Sequence, residues 1–145
     1  MGELTGADPG SLPTKLTYSI REVSLETGLS ISALRYYETA RLLTVPRSST
    51  GQREYSQTEL NAVKFIHQLR RTGMPIARIR EYADLVRAGD DTTSLRMSHL
   101  EQHRDAVAAT MTEQQGYLDA ITRKIDLYRR ALDRPISGDN AAPPE

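Results

Sequence analysis

The side chains best suited to a chemical role lie between Leu34 and Glu38, where the chain reads Leu-Arg-Tyr-Tyr-Glu. They follow the segment Thr27-Gly-Leu-Ser, so a guanidinium and two phenols stand on a short helix just after a corner between two helices. A helix in that position can enter the major groove of DNA while the side chains around it contact phosphates. These five residues alone fit equally well an ordinary helical corner with a solvated Arg and two half-buried Tyr.

No combination of residues typical of an enzyme accompanies them. The sequence has no Cys, which excludes disulfides, Cys-based zinc sites and thiol sensors, and it lacks GxGxxG, phosphate-loop and HExxH motifs. His99 and His103 are spaced to share one face of a helix and could bind zinc or nickel, but two imidazoles without a third ligand are more typical of a polar helix surface. We therefore expect no catalytic residue, no cofactor and no metal site.

Basic side chains concentrate in the first half of the chain, although its formal net charge is zero. Residues 15–80 contain 11 Lys or Arg against 5 Asp or Glu, whereas residues 81–145 contain 8 against 12. A phosphate-binding surface requires local positive charge, because neutralising the phosphates releases their counterions. A basic face that is merely solvated has the same composition. The charge therefore supports a nucleic-acid partner but does not establish one.

Residues 17–88 are predicted to position these side chains as a basic unit of four helices. Gly28 should end the first helix and Ser30 should cap the second. Turn-forming residues over 46–55 predict two short strands, a β-hairpin wing whose Arg would lie along the DNA backbone; a flexible surface loop is the alternative. Two further helices follow, up to residue 88.

Apolar side chains recur at alternating steps of four and three residues along the second half of the chain. This heptad seam predicts a long helix over residues 95–133 that pairs with a second copy, since a lone helix would leave the seam in water. We expect a homodimer, with the alternative that the helix folds back on the basic unit. The residues expected at the dimer interface are Leu100, Val107, Met111, Gln114, Leu118, Ile121, Ile125, Tyr128 and Leu132.

The remaining segments are predicted to flank or connect these two units. Residues 1–16 and 134–145 are expected to form flexible tails, and residues 89–94 a linker. The sequence shows neither a basic, apolar leader nor a run of eighteen apolar residues. We therefore expect a cytoplasmic protein with no membrane partner.

Seven short segments of the basic unit stand in a characteristic order: Tyr18-Ser-Ile-Arg-Glu-Val, Thr27-Gly-Leu-Ser, Leu34-Arg-Tyr-Tyr-Glu, Leu42-Leu43, Pro46-Arg47, Gly51-Gln-Arg53 and Tyr55. Together they resemble the N-terminal half of the MerR family of bacterial transcription regulators. Phe65-Ile66, Leu69-Arg70 and Gly73-Met-Pro-Ile resemble that family's second helix pair. The heptad helix resembles its antiparallel dimerisation helix, so the resemblance covers about residues 17–133.

The resemblance implies a mainly α fold, a winged helix-turn-helix unit followed by a long helix that forms an antiparallel coiled coil in a homodimer. Such a dimer binds a pseudo-palindromic operator in double-stranded promoter DNA and distorts the promoter spacer, in response to a small-molecule or stress signal, so that RNA polymerase can start. By motif position, Tyr37 would pack against the wing and Glu38 would orient a neighbouring Arg. The residues implied to bind DNA are Ser30, Ser32, Arg35, Tyr36, Arg47, Arg53 and Tyr55.

Two residues depart from the family pattern. Arg41 stands where the family usually has Gly. The helix that carries Arg35 and Tyr36, called the recognition helix, must therefore end on a residue that adopts a positive φ unfavourably, or on another turn. Gln52 stands where an aromatic side chain is common, which affects the packing of the wing. Neither departure removes a residue required for DNA binding.

Two alternatives to an effector-controlled regulator remain open on the sequence. A coiled-coil adaptor would use the basic unit to bind a partner protein, and an architectural binder would bend DNA without any effector. An effector would bind at the dimer helix or where that helix meets the basic unit, near Tyr82, Met97, Met111 or Tyr117. The same four side chains also fit plain packing.

Overall fold

The computed structural model describes residues 16–135 and residue 144, and it is mainly helical. The predicted mainly α fold class, with a long C-terminal helix, is confirmed. The predicted tails lie outside the described residues, apart from positions 16, 134, 135 and 144. The elements in chain order are α1 (Ile20–Thr27), α2 (Ile31–Thr39), α3 (Gln57–Arg71), α4 (Ile76–Ala88), a short 3₁₀ helix (Asp90–Thr92) and α5 (Thr93–Asp133).

A tight corner joins α1 to α2 and is held by side chains from both helices. Gly28 ends α1 with a φ of 75°, a left-handed conformation that glycine adopts without steric cost. Ser30 caps α2, because its hydroxyl oxygen accepts a hydrogen bond from the Ala33 N–H at 3.0 Å. The Ser24 hydroxyl donates to the Leu29 carbonyl at 2.6 Å. The helix-turn-helix corner therefore forms where its turn residues predicted it.

The C-terminus of α2 is closed by Arg41, the residue that departs from the family pattern. Arg41 has a φ of 62°. Its N–H donates to the Glu38 carbonyl, and the Leu42 N–H donates to the Tyr37 carbonyl, both at 2.9 Å. This pair of hydrogen bonds is a Schellman motif, in which glycine is the usual left-handed residue. The Cβ of Arg41 makes the conformation unfavourable by about 1 kcal/mol.

Two arginines of α4 stabilise the same helix end. Arg80 Nε donates to the Ala40 carbonyl at 2.8 Å, and Arg87 Nη2 donates to the Arg41 carbonyl at 2.9 Å. Carbonyls at a helix C-terminus carry partial negative charge and lack partners within the helix, so guanidinium groups stabilise them. These contacts fix the position of α2 relative to α4.

One hydrophobic core joins α1, α2, α3, α4 and the segment that follows α2. Because its side chains come from all of these elements, the core fixes how the outer faces of α1 and α2 are presented. Fully buried members are Val23, Leu34, Tyr37, Tyr55, Val63 and Ile79, and the others are Ala40, Leu42, Leu43, Val45, Leu60, Ile66, Leu69 and Met74.

The segment between α2 and α3 turns back on itself, but the described residues form no extended strand there. An isolated antiparallel bridge joins Arg47 to Arg53, and a second joins Tyr55 to Tyr18. The Ser48 N–H donates to the Gln52 carbonyl and the Glu54 N–H to the Pro46 carbonyl, but Pro46 has no N–H with which to continue the ladder. Residues 44–56 are called the wing loop from here on. They form a turn held by these two isolated bridges, and the predicted two-stranded hairpin does not form.

Helix α5 has 41 residues and is about 60 Å long at 1.5 Å per residue. It begins at Thr93, two residues before the predicted start. The chain divides into two compact units, one ending at His103 and the other beginning at Arg104. Within the first unit, Leu100 packs against the hydrophobic core. Because the Leu100 side chain is only half-buried there, its place in the dimer seam stays a prediction.

Candidate nucleic-acid interface

The outer face of α2 presents four of the side chains predicted to contact DNA. Ser32 and Arg35 are exposed, and Tyr36 is 45% exposed. Ser30 is also exposed; its oxygen caps α2, so its hydroxyl hydrogen remains available to a phosphate. Within the described part of the chain, the Arg35 guanidinium has no hydrogen-bond or ion-pair partner. A free guanidinium on a helix face offers five donors to base edges or phosphate oxygens.

Arg70 of α3 lies beside this face, although it was not among the predicted site residues. Its guanidinium carbon is 5.9 Å from the ring centroids of both Tyr36 and Tyr37, within the range of a cation–π contact. Tyr37 is buried in the same core as Val45 and Tyr55 of the wing loop, so its predicted packing role is confirmed. Helical periodicity places Arg70 on an outer face but does not reveal which neighbour it meets.

Glu38 holds both arginines of the wing loop. Its Oε1 accepts a hydrogen bond from Arg53 Nε at 2.6 Å, and its Oε2 accepts one from Arg47 Nη2 at 3.3 Å. The Glu38 and Arg53 side chains are only 18% and 20% exposed, which strengthens their attraction relative to a fully solvated pair. The prediction that Glu38 orients a neighbouring Arg is confirmed. The cluster of Glu38, Arg47 and Arg53 has one carboxylate against two guanidiniums and therefore carries a net positive charge.

A polar groove between the start of α1 and the wing loop brings a third arginine next to this pair. Arg21 is exposed at the second position of α1, and sequence reasoning included it only in the basic excess. Three guanidiniums on one groove repel one another, and Glu38 neutralises one charge, so an anion such as a DNA phosphate would be stabilised there. The lining residues are Ser19, Ile20, Arg21, Arg47, Gly51, Gln52 and Arg53.

Tyr55 does not belong to this surface, which corrects its predicted role in DNA contact. Its side chain is fully buried, and within the described residues its hydroxyl has no hydrogen-bond partner. Burial, with a smaller contribution from the Glu38 carboxylate, raises the pKa of Tyr55 above its usual value. Its backbone pairs with Tyr18 at 2.7 and 2.9 Å. Tyr55 therefore anchors the end of the wing loop to the residues ahead of α1.

The residues predicted to form the dimer seam beyond Leu100 lie on α5 in the second unit. Val107 is half-buried and Gln114 is exposed. Although α5 is long, no helix in the described part of the chain is apolar enough to span a membrane. The exposed fractions of the remaining seam side chains run from 45% for Ile125 to 84% for Leu132, with Met111, Leu118, Ile121 and Tyr128 between them.

His99 and His103 have separate partners. His103 Nε2 lies 2.8 Å from Thr72 Oγ1. His99 is buried, with its ring centroid 6.0 Å from that of Tyr82 and its Nε2 3.5 Å from Glu81 Oε2. Among the residues that the structure describes, no three His, Cys, Asp or Glu side chains are arranged to hold a metal ion. Both imidazoles instead make contacts between α5 and the helices packed beside it.

Comparison with known proteins gives matches along most of the chain. A family sequence model described as "MerR HTH family regulatory protein" matches residues 18–85, and one described as "MerR, DNA binding" matches residues 60–132. An HTH-type transcriptional regulator from Haemophilus influenzae is 30% identical over 117 residues, which cover 80% of this chain and 87% of that protein.

Solved structures with the same architecture are similar over a comparable length. HiNmlR, described as a MerR family regulator lacking the sensor domain and solved bound to promoter DNA, has a TM-score of 0.72 at 30% identity, covering 80% of this chain and 93% of its own. A MerR family transcriptional regulator from Listeria monocytogenes has a TM-score of 0.76 at 31% identity, covering 79% and 88%. With its helix-turn-helix corner, arginine-lined groove and long α5, this chain belongs to the MerR family of HTH transcriptional regulators.

Proposed function

We propose that this regulator binds a pseudo-palindromic operator in a promoter as a homodimer and controls transcription by distorting the spacer between the promoter elements. The distortion would change how efficiently RNA polymerase starts transcription at the same promoter. The observation that carries the proposal is the exposed Arg35 on α2, which has no partner among the described residues, on the same helix as Glu38, whose carboxylate holds two of the arginines of the groove lined by Arg21, Arg47 and Arg53. A base-reading side chain flanked by phosphate-binding ones is what a helix in the major groove requires.

The arginines of α2 and of the wing loop would make different contacts with DNA. Arg35 and Tyr36 lie on the exposed face of α2 and would reach base edges, with Ser30 and Ser32 at the helix N-terminus contacting the backbone. The wing-loop arginines are held by Glu38, so their position is fixed before DNA arrives. Such fixed phosphate contacts set the register of the protein on the duplex and make binding salt-dependent.

The exposed seam of α5 supports the homodimer. A helix of 41 residues whose apolar side chains from Met111 to Leu132 face water is stabilised when a second helix covers them. A second copy of the chain supplies such a helix with the same heptad pattern. Two copies also provide two recognition helices at a fixed separation, which a two-fold symmetric operator matches.

A DNA footprint of the purified full-length protein tests the proposal. The DNA should contain the regions upstream of its own and neighbouring genes, and the experiment should be run at two salt concentrations. We expect a symmetric protected region over a promoter spacer that weakens as salt rises. Arg35→Ala should lower the affinity about tenfold or more, whereas Arg123→Ala, which removes an exposed arginine of α5, should leave the footprint in place.

Two other outcomes would assign a different function. A stable dimer that protects no DNA would indicate a coiled-coil adaptor whose basic unit binds a protein. A footprint with DNA bending that stays constant under every metabolite tested, and that changes transcription by itself, would indicate an architectural binder. Either result would contradict effector-controlled distortion of the spacer.

A further inference from the structure

An apolar groove on the side of the basic unit formed by α3, α4 and the start of α5 has no role in the contacts described so far. Its volume is about 330 Å³, within the range of about 300–1,000 Å³ typical of small-molecule sites. The apolar walls come from three elements, and charged groups stand at the edges. The lining residues are Leu42, Leu43, Thr44, Thr58, Glu59, Ala62, Phe65, Ile66, Ile79, Tyr82, Ala83, Val86, Arg87 and Arg96.

Among the residues that the structure describes, no carboxylate compensates the charge of the lining residue Arg96. Its Nη2 donates to Thr93 Oγ1 at 3.0 Å, and within the described residues its buried Nε has no hydrogen-bond partner and its guanidinium no ion pair. A buried guanidinium N–H without an acceptor is costly, and a carboxylate or sulfonate oxygen would satisfy it.

The other two charged lining residues already have partners. Arg87 pairs with Asp84 and donates to the Arg41 carbonyl at 2.9 Å. The Glu59 carboxylate accepts a hydrogen bond from the Ser56 N–H at 2.8 Å in the first turn of α3, where the helix dipole also stabilises it. Arg96 is therefore the group in this groove that selects the charge of a ligand.

We propose that this groove binds a small amphipathic organic anion, with the acidic head on Arg96 and the apolar body against Phe65, Ile79 and Val86. This inference rests on the proposed function, because it assigns the effector site of the regulator. Leu42 and Leu43 follow the turn at Arg41 that ends α2, and Arg96 lies near the start of α5. A ligand in the groove thus contacts both the DNA-binding helix end and the base of the long helix, whose relative position determines the half-site geometry.

Calorimetric titration of the full-length protein with three compounds of one chain length tests the proposal. Decanoate, 1-decanol and decyltrimethylammonium, each below its aggregation concentration, differ only in the head group. We expect decanoate to bind at least tenfold more tightly than the alcohol, and the cation not to bind. Adding decanoate to the protein–DNA complex should change the footprint or the transcription rate.

Substitutions at the groove test whether decanoate binds there. Arg96→Gln should weaken decanoate binding about tenfold or more and abolish its advantage over the alcohol, and Val86→Glu should repel the anion from the exposed rim. Arg104→Gln is the matched control, because Arg104 is an exposed arginine of α5 outside the groove. Circular dichroism spectra would verify the fold of each variant.

Several outcomes would overturn the inference. Equal affinity for all three head groups, unchanged decanoate binding by Arg96→Gln, or no binding at all would each do so. If no compound binds while Arg96→Gln and Val86→Glu weaken self-association, a second copy of the chain occupies the groove instead. The footprint without compound separates the two proposals, since intact DNA binding with no decanoate binding refutes only the effector site.

Discussion

The basic unit and the distal part of α5 use their apolar side chains in opposite ways. In the basic unit, residues such as Leu34, Val63 and Ile79 are fully buried within one chain. Along α5 beyond Arg104, side chains of the same type are at least 45% exposed, from Met111 to Leu132. The first region buries a hydrophobic core within one chain, whereas in the proposed homodimer the second region would bury its apolar side chains against another helix.

This difference separates the two requirements of a symmetric DNA-binding regulator. The surface that contacts DNA must be rigid before binding, and here the core, the Schellman turn at Arg41 and the Glu38 ion pairs fix it. In the proposed homodimer a second chain would set the spacing of two such surfaces, and the exposed seam of α5 would bind it. Substitutions in the basic unit should therefore lower its folding stability, whereas substitutions in the seam should weaken association.

A charge placed in the middle of the seam should have the largest effect. Ile121 is 59% exposed in the single chain, and covering it with a second helix would bury a glutamate at that position without a partner. We expect Ile121→Glu to convert the dimer to monomer at micromolar concentration in sedimentation velocity. Ala120→Glu, one residue away and outside the seam, should remain dimeric. A dimeric Ile121→Glu protein would contradict the seam assignment.

Truncating a core residue should destabilise the basic unit whatever the state of association. Leu34 is fully buried in the recognition helix, so Leu34→Ala should cost about 2–5 kcal/mol in urea unfolding. The loss should be the same at low and high protein concentration, because the contacts lie within one chain. Leu118→Ala on the seam should instead lower the midpoint at concentrations where the original protein is dimeric, and this loss should shrink as dilution dissociates both proteins. Equal concentration dependence for both variants would refute the contrast between the two regions.

Replacing Arg41 with glycine should stabilise the protein. Arg41 has a φ of 62°, and removal of its Cβ relieves about 1 kcal/mol of backbone strain. Arg41→Ala keeps the Cβ and removes the same charge, so it should show no such gain. Urea unfolding of both variants measures the difference, and a gain of the same size for alanine would assign it to charge instead of conformation.

Removing the Tyr55 hydroxyl should have the smallest effect near neutral pH. The hydroxyl is buried without a partner among the described residues, so Tyr55→Phe should change the free energy of unfolding by about 1 kcal/mol or less and leave the affinity for DNA unchanged. A tenfold loss of DNA affinity would restore Tyr55 as a contact residue.

Tyr55→Phe can also be compared with the original protein at alkaline pH. Because burial raises the pKa of Tyr55, its contribution to stability is complete below the unfolded pKa of about 10 and is lost as pH rises through the folded value. The stability of the original protein should therefore fall more steeply above about pH 10 than that of Tyr55→Phe. Parallel curves for the two proteins would contradict burial of an ionisable hydroxyl.

Local features of this molecule could be predicted from the sequence because short segments determine them. Gly28 and Ser30 set the corner through their own backbone and capping preferences. The contact between Glu38 and a wing-loop arginine spans 15 residues, and it was predicted from the resemblance to the MerR family. The exposed seam of α5 follows from heptad spacing. In each case the residues that make the structure are the ones that the pattern names.

Features that depend on contacts between distant segments were missed or wrong. Tyr55 stands in the motif as a polar aromatic, but its pairing with Tyr18 turns it into the core. Leu100 continues the heptad spacing, but its partial burial against the core of its own unit was not predicted. Arg70 beside Tyr36 becomes visible only when α3 is placed against α2. Burial and neighbours across elements are properties of the packed chain, which spacing along one helix does not encode.

The most direct test of the central claim is a quantitative footprint of the full-length protein beside its Ile121→Glu variant on one promoter fragment. The original protein should protect two symmetric half-sites together at one concentration. The monomeric variant keeps its DNA-binding surface, so it should protect DNA only at far higher concentration and without simultaneous occupancy of both half-sites. Equal protection of both half-sites by monomeric Ile121→Glu would show that α5 does not couple two DNA-binding units.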